Sequence, residues 1–176
     1  MSGQQDKSLA KVEATERVGF DLTNSGVMFV GADLLGTKLA AIFCEMIQVD
    51  ELHGLACLTI RGDNFPIEGD KPVFGIALAD TNSIAINLQH CWHRACVKAH
   101  ENDKSLNFMG ILWVNLLNTL AHELDHLVAA NNDREMYELM RSSEDGQKAR
   151  EESAQAAATP IILRMAKTID IEIPDA

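Results

Sequence analysis

The stretch from Asn118 to Ala130 constrains this chain more than any other, because it joins a helical apolar period to a metal-ligand spacing. Leu112, Leu116, Leu117, Leu120, Leu124, Leu127 and Val128 recur at three- and four-residue intervals. Neither Pro nor Gly interrupts residues 111 to 130. That period predicts one long amphipathic helix. Within it stand His122, Glu123 and His126. Residues four apart on a helix lie one turn apart on one face, so both imidazoles can reach a single ion. Glu123 is rotated by about 100° from His122. Its carboxylate falls beside the ion, placed to take a proton from activated water rather than to bind the metal. With six histidines in 176 residues, chance produces this pattern only about 0.015 times, so two ordinary surface histidines are the poorer explanation.

A chain of this length, 47% apolar, can fill one core. Residues 1–18 read as a polar tail or a short surface helix, and residues 19–176 as a single α+β domain. The net charge of −11 argues against a partner held through phosphates, so no nucleic acid is expected. Cys44, Cys57, Cys91 and Cys96 follow no disulfide spacing and read as reduced thiols. The polar start, Met1 to Asp6, does not resemble a secretory signal, and no apolar run is long enough to span a bilayer. The expected location is the cytoplasm, with no membrane partner.

Along the chain, Asp33 to Ile47 predicts a first amphipathic helix and Gly54 to Ile60 a strand ended by the turn-rich Arg61 to Pro66. Val73 to Leu78 and Ser83 to Asn87 predict a hairpin turning at Asp80 to Asn82. Leu88 to His100 predicts a helix, and the long helix follows from about Leu106 to Ala130. Asn131 to Asp133 breaks it, Arg134 to Arg141 resumes a helix, and Ser142 to Gly146 is expected as a loop. Gln147 to Ala158 is strongly helix-prone, with Thr159-Pro160 expected to stop or kink it. Ile169 to Ile173 alternates like a short strand.

Two histidines do not complete a catalytic zinc site, which usually has three protein ligands and an open position. The His122-Glu123-x-x-His126 motif, preceded by a hairpin and followed by an acidic helix, resembles the zincin-like metallopeptidases of the gluzincin branch. The likeness covers about residues 73 to 158 and is nearest in layout to small cytosolic members of the SprT-like and ImmA/IrrE kinds. It implies a small, mainly antiparallel sheet packed on the active-site helix, one Zn2+ per chain, Glu123 as catalytic base and a peptide or protein substrate along the edge of the hairpin. In that branch the third ligand is a Glu in the pattern E-x-x-A/S-D/N. Glu151 to Gln155 resembles the pattern, with Gln155 where an acid or Asn is usual. The resemblance makes Glu151 the ligand and Glu152 the alternative. The Gln155 departure touches the hydrogen bond that usually orients a metal-bound histidine. Ala154, Ala157 and Ala158 would let this helix approach the motif helix closely. Tyr137, one helix beyond the motif, is either a phenol that stabilises an oxyanion or an amphipathic tyrosine packed with its hydroxyl in water.

His122 to Leu127 also resembles the H-E-x-D-H-L motif of peptide deformylases, in which an upstream cysteine is the third ligand. Asp125 fits that pattern. The matching cysteine would be Cys57, although Leu55 to Thr59 lacks the Glu-Gly expected before it. A deformylase-like amide hydrolase and a catalytically silent metal-binding regulator are therefore the alternatives to a peptidase. A second cluster, His90, His93, Cys96 and His100, reads as a packed, half-buried helix face rather than a structural metal site, with His90 or His93 candidates to line a cleft.

Overall fold

The computed structural model describes residues 20–21, 28–30, 54–62, 65, 67–68, 71–101 and 108–168. The tail of residues 1–18, the helix expected from Asp33 to Ile47 and the strand expected from Ile169 to Ile173 lie outside the described residues.

Seven strands, β1 (Phe20–Asp21), β2 (Met28–Val30), β3 (Cys57–Arg61), β4 (Ile67–Glu68), β5 (Lys71–Pro72), β6 (Gly75–Leu78) and β7 (Ser83–Asn87), precede four helices among the described residues. The helices are α1 (Leu88–Glu101), α2 (Phe108–Asn132), α3 (Arg134–Arg141) and α4 (Glu144–Thr168). The fold class is α+β, as the sequence implies. The main sheet runs β1-β2-β3-β7-β6, and β4 pairs with β5 alone.

The sheet is mixed rather than mainly antiparallel. β1–β2 and β6–β7 are antiparallel, whereas β2–β3 and β3–β7 are parallel. The hairpin forms where the turn residues place it, with Ala79–Thr81 as a 3-10 turn and Asn82 in the left-handed region at φ 47°. The long connection from β3 carries the chain out to β6 first. β7 then returns between the two, which makes it parallel to β3. Hairpin signals are local, but the neighbour on a strand's other side depends on a crossover that no local pattern encodes.

β3 and β7 turn Leu58, Ile60, Ile84 and Ile86 inward at every second residue, onto α2. Helix α2 answers with Leu112, Leu116, Leu117, Leu120, Leu124 and Leu127, all buried. Val128, the last member of the expected stripe, is instead 43% exposed. Ala121 and Ala130, off that stripe, are buried because α2 is covered on more than one side. Helix α1 closes another side through Cys91 and Ala95. The motif thus sits on the best-packed element described. Leu116→Ala should lower unfolding stability by about 2–5 kcal/mol, read as a fall in denaturant midpoint at unchanged slope.

The chain reverses tightly after α2. Asp133 accepts the Met136 N–H at 3.0 Å and caps α3. Ser143 accepts the Gly146 N–H at 3.1 Å, so α4 starts at Glu144 and the loop expected over Ser142 to Gly146 shrinks to its first residues. Gly146 is required there, since a Cβ would stand 2.2 Å from the Met140 carbonyl oxygen. Pro160 does not stop α4, which continues to Thr168. Burial of Ala158 and Ile162 against Ala121 on both sides of the proline holds the helix together. The Thr159 hydroxyl donates to the Gln155 carbonyl at 3.1 Å.

Candidate metal centre

His122 and His126 sit one turn apart on α2, and α4 returns alongside to bring Glu151 over them. His122 Nε2 lies 3.0 Å from Glu151 Oε2, His126 Nε2 lies 3.3 Å from Glu151 Oε1, and the two Nε2 atoms are 3.1 Å apart. A tetrahedral zinc with bonds of 2.0–2.1 Å has ligand–ligand edges of about 3.3 Å. The donor set, two imidazole nitrogens and one carboxylate, therefore fits zinc in both kind and spacing. Among the described residues this is the one group of three or more His, Cys, Asp or Glu side chains converging in this way.

Electrostatics follow from that convergence. Hydrogen bonds from His122 and His126 hold the Glu151 carboxyl far below the usual carboxylate range, and the Glu151 carboxylate raises His122. Glu151 is 59% exposed in its side chain, so the centre opens to solvent on that side. His126 is 6% exposed and is held on the inner side.

Glu123 is buried beside the pair, 8% exposed, and burial pushes its carboxyl upward. It is not part of the converging group, as its rotation on the helix requires. The Ala77 backbone N–H donates to its carboxylate. The hairpin register explains that contact. Asn87 N–H bonds the Phe74 carbonyl at 2.7 Å, so the next pair, Gly75 with Ile86, and then Ala77 with Ile84, are the pairs without mutual hydrogen bonds. The backbone groups of Gly75 and Ala77 consequently point away from β7, on the side of β6 that pairs with no strand among the described residues. Gly75 lies so close to α2 that a Cβ would stand 2.6 Å from Thr119 Cγ2 and 2.8 Å from Glu123 Cγ. An isolated Gly in a strand pattern is the sequence sign of such an approach, and Gly75 was legible by that sign alone.

The hairpin tip is tied down over the end of α2. Asn131 Nδ2 donates to Asn82 Oδ1 at 2.8 Å, and Arg134 pairs with Asp80 at 2.8 Å. At its base, buried Asn87 accepts the His90 N–H and donates to the Val73 carbonyl, joining β7, α1 and the start of β6.

Glu152 points to Lys148 at 3.9 Å and is outside the group. Gln155 donates to Asn118 Oδ1 at 3.2 Å, so it links α4 to α2 rather than to a histidine. Ala154 and Ala158 are fully buried, as close helix approach requires, and Ala157 is half-buried. Cys57, Cys91 and Cys96 are free thiols and none joins the converging group. Cys91 is buried against Thr119, and burial pushes its thiol up to about 11. On α1, His93, Cys96 and His100 are exposed rather than half-buried, while His90 packs on Phe74 with ring centroids 4.1 Å apart. Neither His90 nor His93 lines the cleft described next.

That cleft, of about 150 Å³, opens beside His126 and is lined by Asp125, Ala129, Met136, Tyr137, Met140 and Arg150 among others. Tyr137 stands 6.4 Å from His126, ring centroid to ring centroid. Arg150 stacks 3.9 Å above the tyrosine ring and donates to its hydroxyl. Sequence reasoning missed Arg150; its position next to Glu151 on one helix was the available signal.

No family model, curated protein or solved structure matches the chain. No helix among the described residues is long and apolar enough to cross a membrane.

Proposed function

We propose that this protein is a zinc-dependent metallopeptidase of the zincin-like, gluzincin type, acting in the cytoplasm on peptide or protein substrates. One observation carries the reading: the Nε2 atoms of His122 and His126 and the Glu151 carboxylate converge at tetrahedral-edge distances beside a separate, buried Glu123. Three protein ligands leave a fourth position open, which is the pattern of a catalytic rather than a structural zinc. Held by His122, His126 and Glu151, a zinc ion would supply the Lewis acidity that polarises a scissile carbonyl and acidifies water. Glu123 takes the proton from the attacking water and returns it to the leaving amine. Its burial raises its proton affinity toward that task, and the Ala77 N–H holds its carboxylate in place. With the Ala77 N–H held by Glu123, the outward backbone groups of Gly75 and the Ala77 carbonyl are left to pair with an extended peptide along the strand edge.

The test has two measurements on the purified chain. Elemental analysis is expected to find close to one zinc per chain. Incubation with a library of unstructured peptides is expected to give new amino termini, quenched by chelation and restored by zinc. Zinc without cleavage would favour a silent metal-binding regulator. Absence of any bound divalent transition metal would overturn the metal reading altogether.

A further inference from the structure

We propose that Arg150 is a positioning residue that turns Tyr137 into a hydrogen-bond donor for the carbonyl oxygen of the substrate. This rests on the peptidase reading and deepens it. A guanidinium has only N–H donors and no acceptor, so in the Arg150–Tyr137 contact the phenol oxygen accepts. Its own hydrogen must then be directed elsewhere, and no acceptor for it is found among the described residues. The Tyr137 ring lies edge-on to His126, with centroids 6.4 Å apart, and both residues line the same cleft. A donor in this place meets the carbonyl oxygen as negative charge grows there during attack.

Arg150 contributes in two ways. Stacked 3.9 Å above the ring, it restricts the phenol's orientation. Bonded to the oxygen, the cation polarises the remaining O–H and makes it a stronger donor. Arg150 makes no ion pair with a carboxylate among the described residues, although Asp125 and Asp133 line the same cleft, so its charge is not cancelled there. Its place is set by the fold, since it precedes Glu151 by one residue on α4 and shares that helix's docking on α2.

The experiment combines a double-mutant cycle with an optical titration. Tyr137 is the only tyrosine of the chain, so tyrosinate absorbance reports this phenol alone. In zinc-loaded protein, Arg150→Met should raise the tyrosinate midpoint by about one pH unit or more, and Arg150→Lys should restore most of it. On the best-cleaved peptide of the library, Tyr137→Phe should lower kcat about 100-fold with KM little changed. Arg150→Met should lower kcat about tenfold, and the double variant should be no slower than Tyr137→Phe alone. Losses that multiply would mean that Arg150 acts on the substrate directly and would overturn the inference. So would an unmoved tyrosinate midpoint. Zinc content of the unsubstituted protein reports separately on the metal centre, and the same optical titration run on the protein as purified decides the Arg150–Tyr137 coupling whatever that content is.

Discussion

Glu123→Gln is expected to keep zinc at one per chain while lowering kcat about 10³-fold, within the range general-base catalysis contributes. The substitution keeps the size of the side chain and leaves an amide oxygen that can still accept the Ala77 N–H. The close contact with Gly75 is also unchanged, so the hairpin edge stays where it is. What disappears is the capacity to take up a proton. Because Glu123 lies outside the converging donors, the metal loses no ligand. Kinetic assay and elemental analysis on the same preparation check both halves. Hydrolysis at an undiminished rate would remove Glu123 from the chemistry, and the peptidase mechanism with it.

The second large effect concerns the third ligand. Glu151→Ala, like His122→Ala or His126→Ala, should cost more zinc affinity than the roughly 10–100-fold typical of losing an outer hydrogen-bond partner. Among the described residues Glu151 is the one carboxylate within hydrogen-bond distance of both imidazoles, whereas Glu152 faces Lys148. Cys57→Ser, Cys91→Ser and Cys96→Ser should leave affinity nearly unchanged, since no described thiol converges on the histidines. Cobalt substitution gives an independent reading, because only a thiolate ligand produces an intense sulfur-to-metal charge-transfer band in the near ultraviolet. That band should be absent. Its appearance, together with loss on one cysteine substitution, would replace the Glu151 assignment with the deformylase-like ligand set.

Much of the candidate site was legible because its spacing is local. His122, Glu123 and His126 lie within five residues, and helical geometry alone places two of them on one face and turns the third aside. The Ser83 to Asn87 strand and the Arg134 to Arg141 helix were legible for the same reason, whereas the break expected over Asn131 to Asp133 narrows to Asp133, since α2 runs on through Asn132. Glu151 is different. It is 25 residues beyond His126 along the chain, and its choice over Glu152 came from resemblance to a motif. In the structure Glu151 reaches the histidines through the docking of α4, with Ala158 packed against Ala121 of α2 and Ala154 fully buried.

What only the tertiary structure decided has a common physical cause: each feature depends on a neighbour distant in sequence. Pro160 carries a local penalty of about 3 kcal/mol in a helix interior, yet packing of Ala158 and Ile162 on either side keeps α4 continuous. Strand β7 pairs antiparallel with β6 by a short turn, but parallel with β3 only because the intervening chain crosses to the far edge first. Gly75 and Arg150 carry only weak local signals and gain their roles from α2 and Tyr137 approaching them. The sequence by itself determined the helix, its two histidines and the acid between them. The approach of Glu151 to the two histidines, the strand edge beside Glu123 and the Arg150–Tyr137 pair were decided by packing, because proximity between separated segments is set by the whole core.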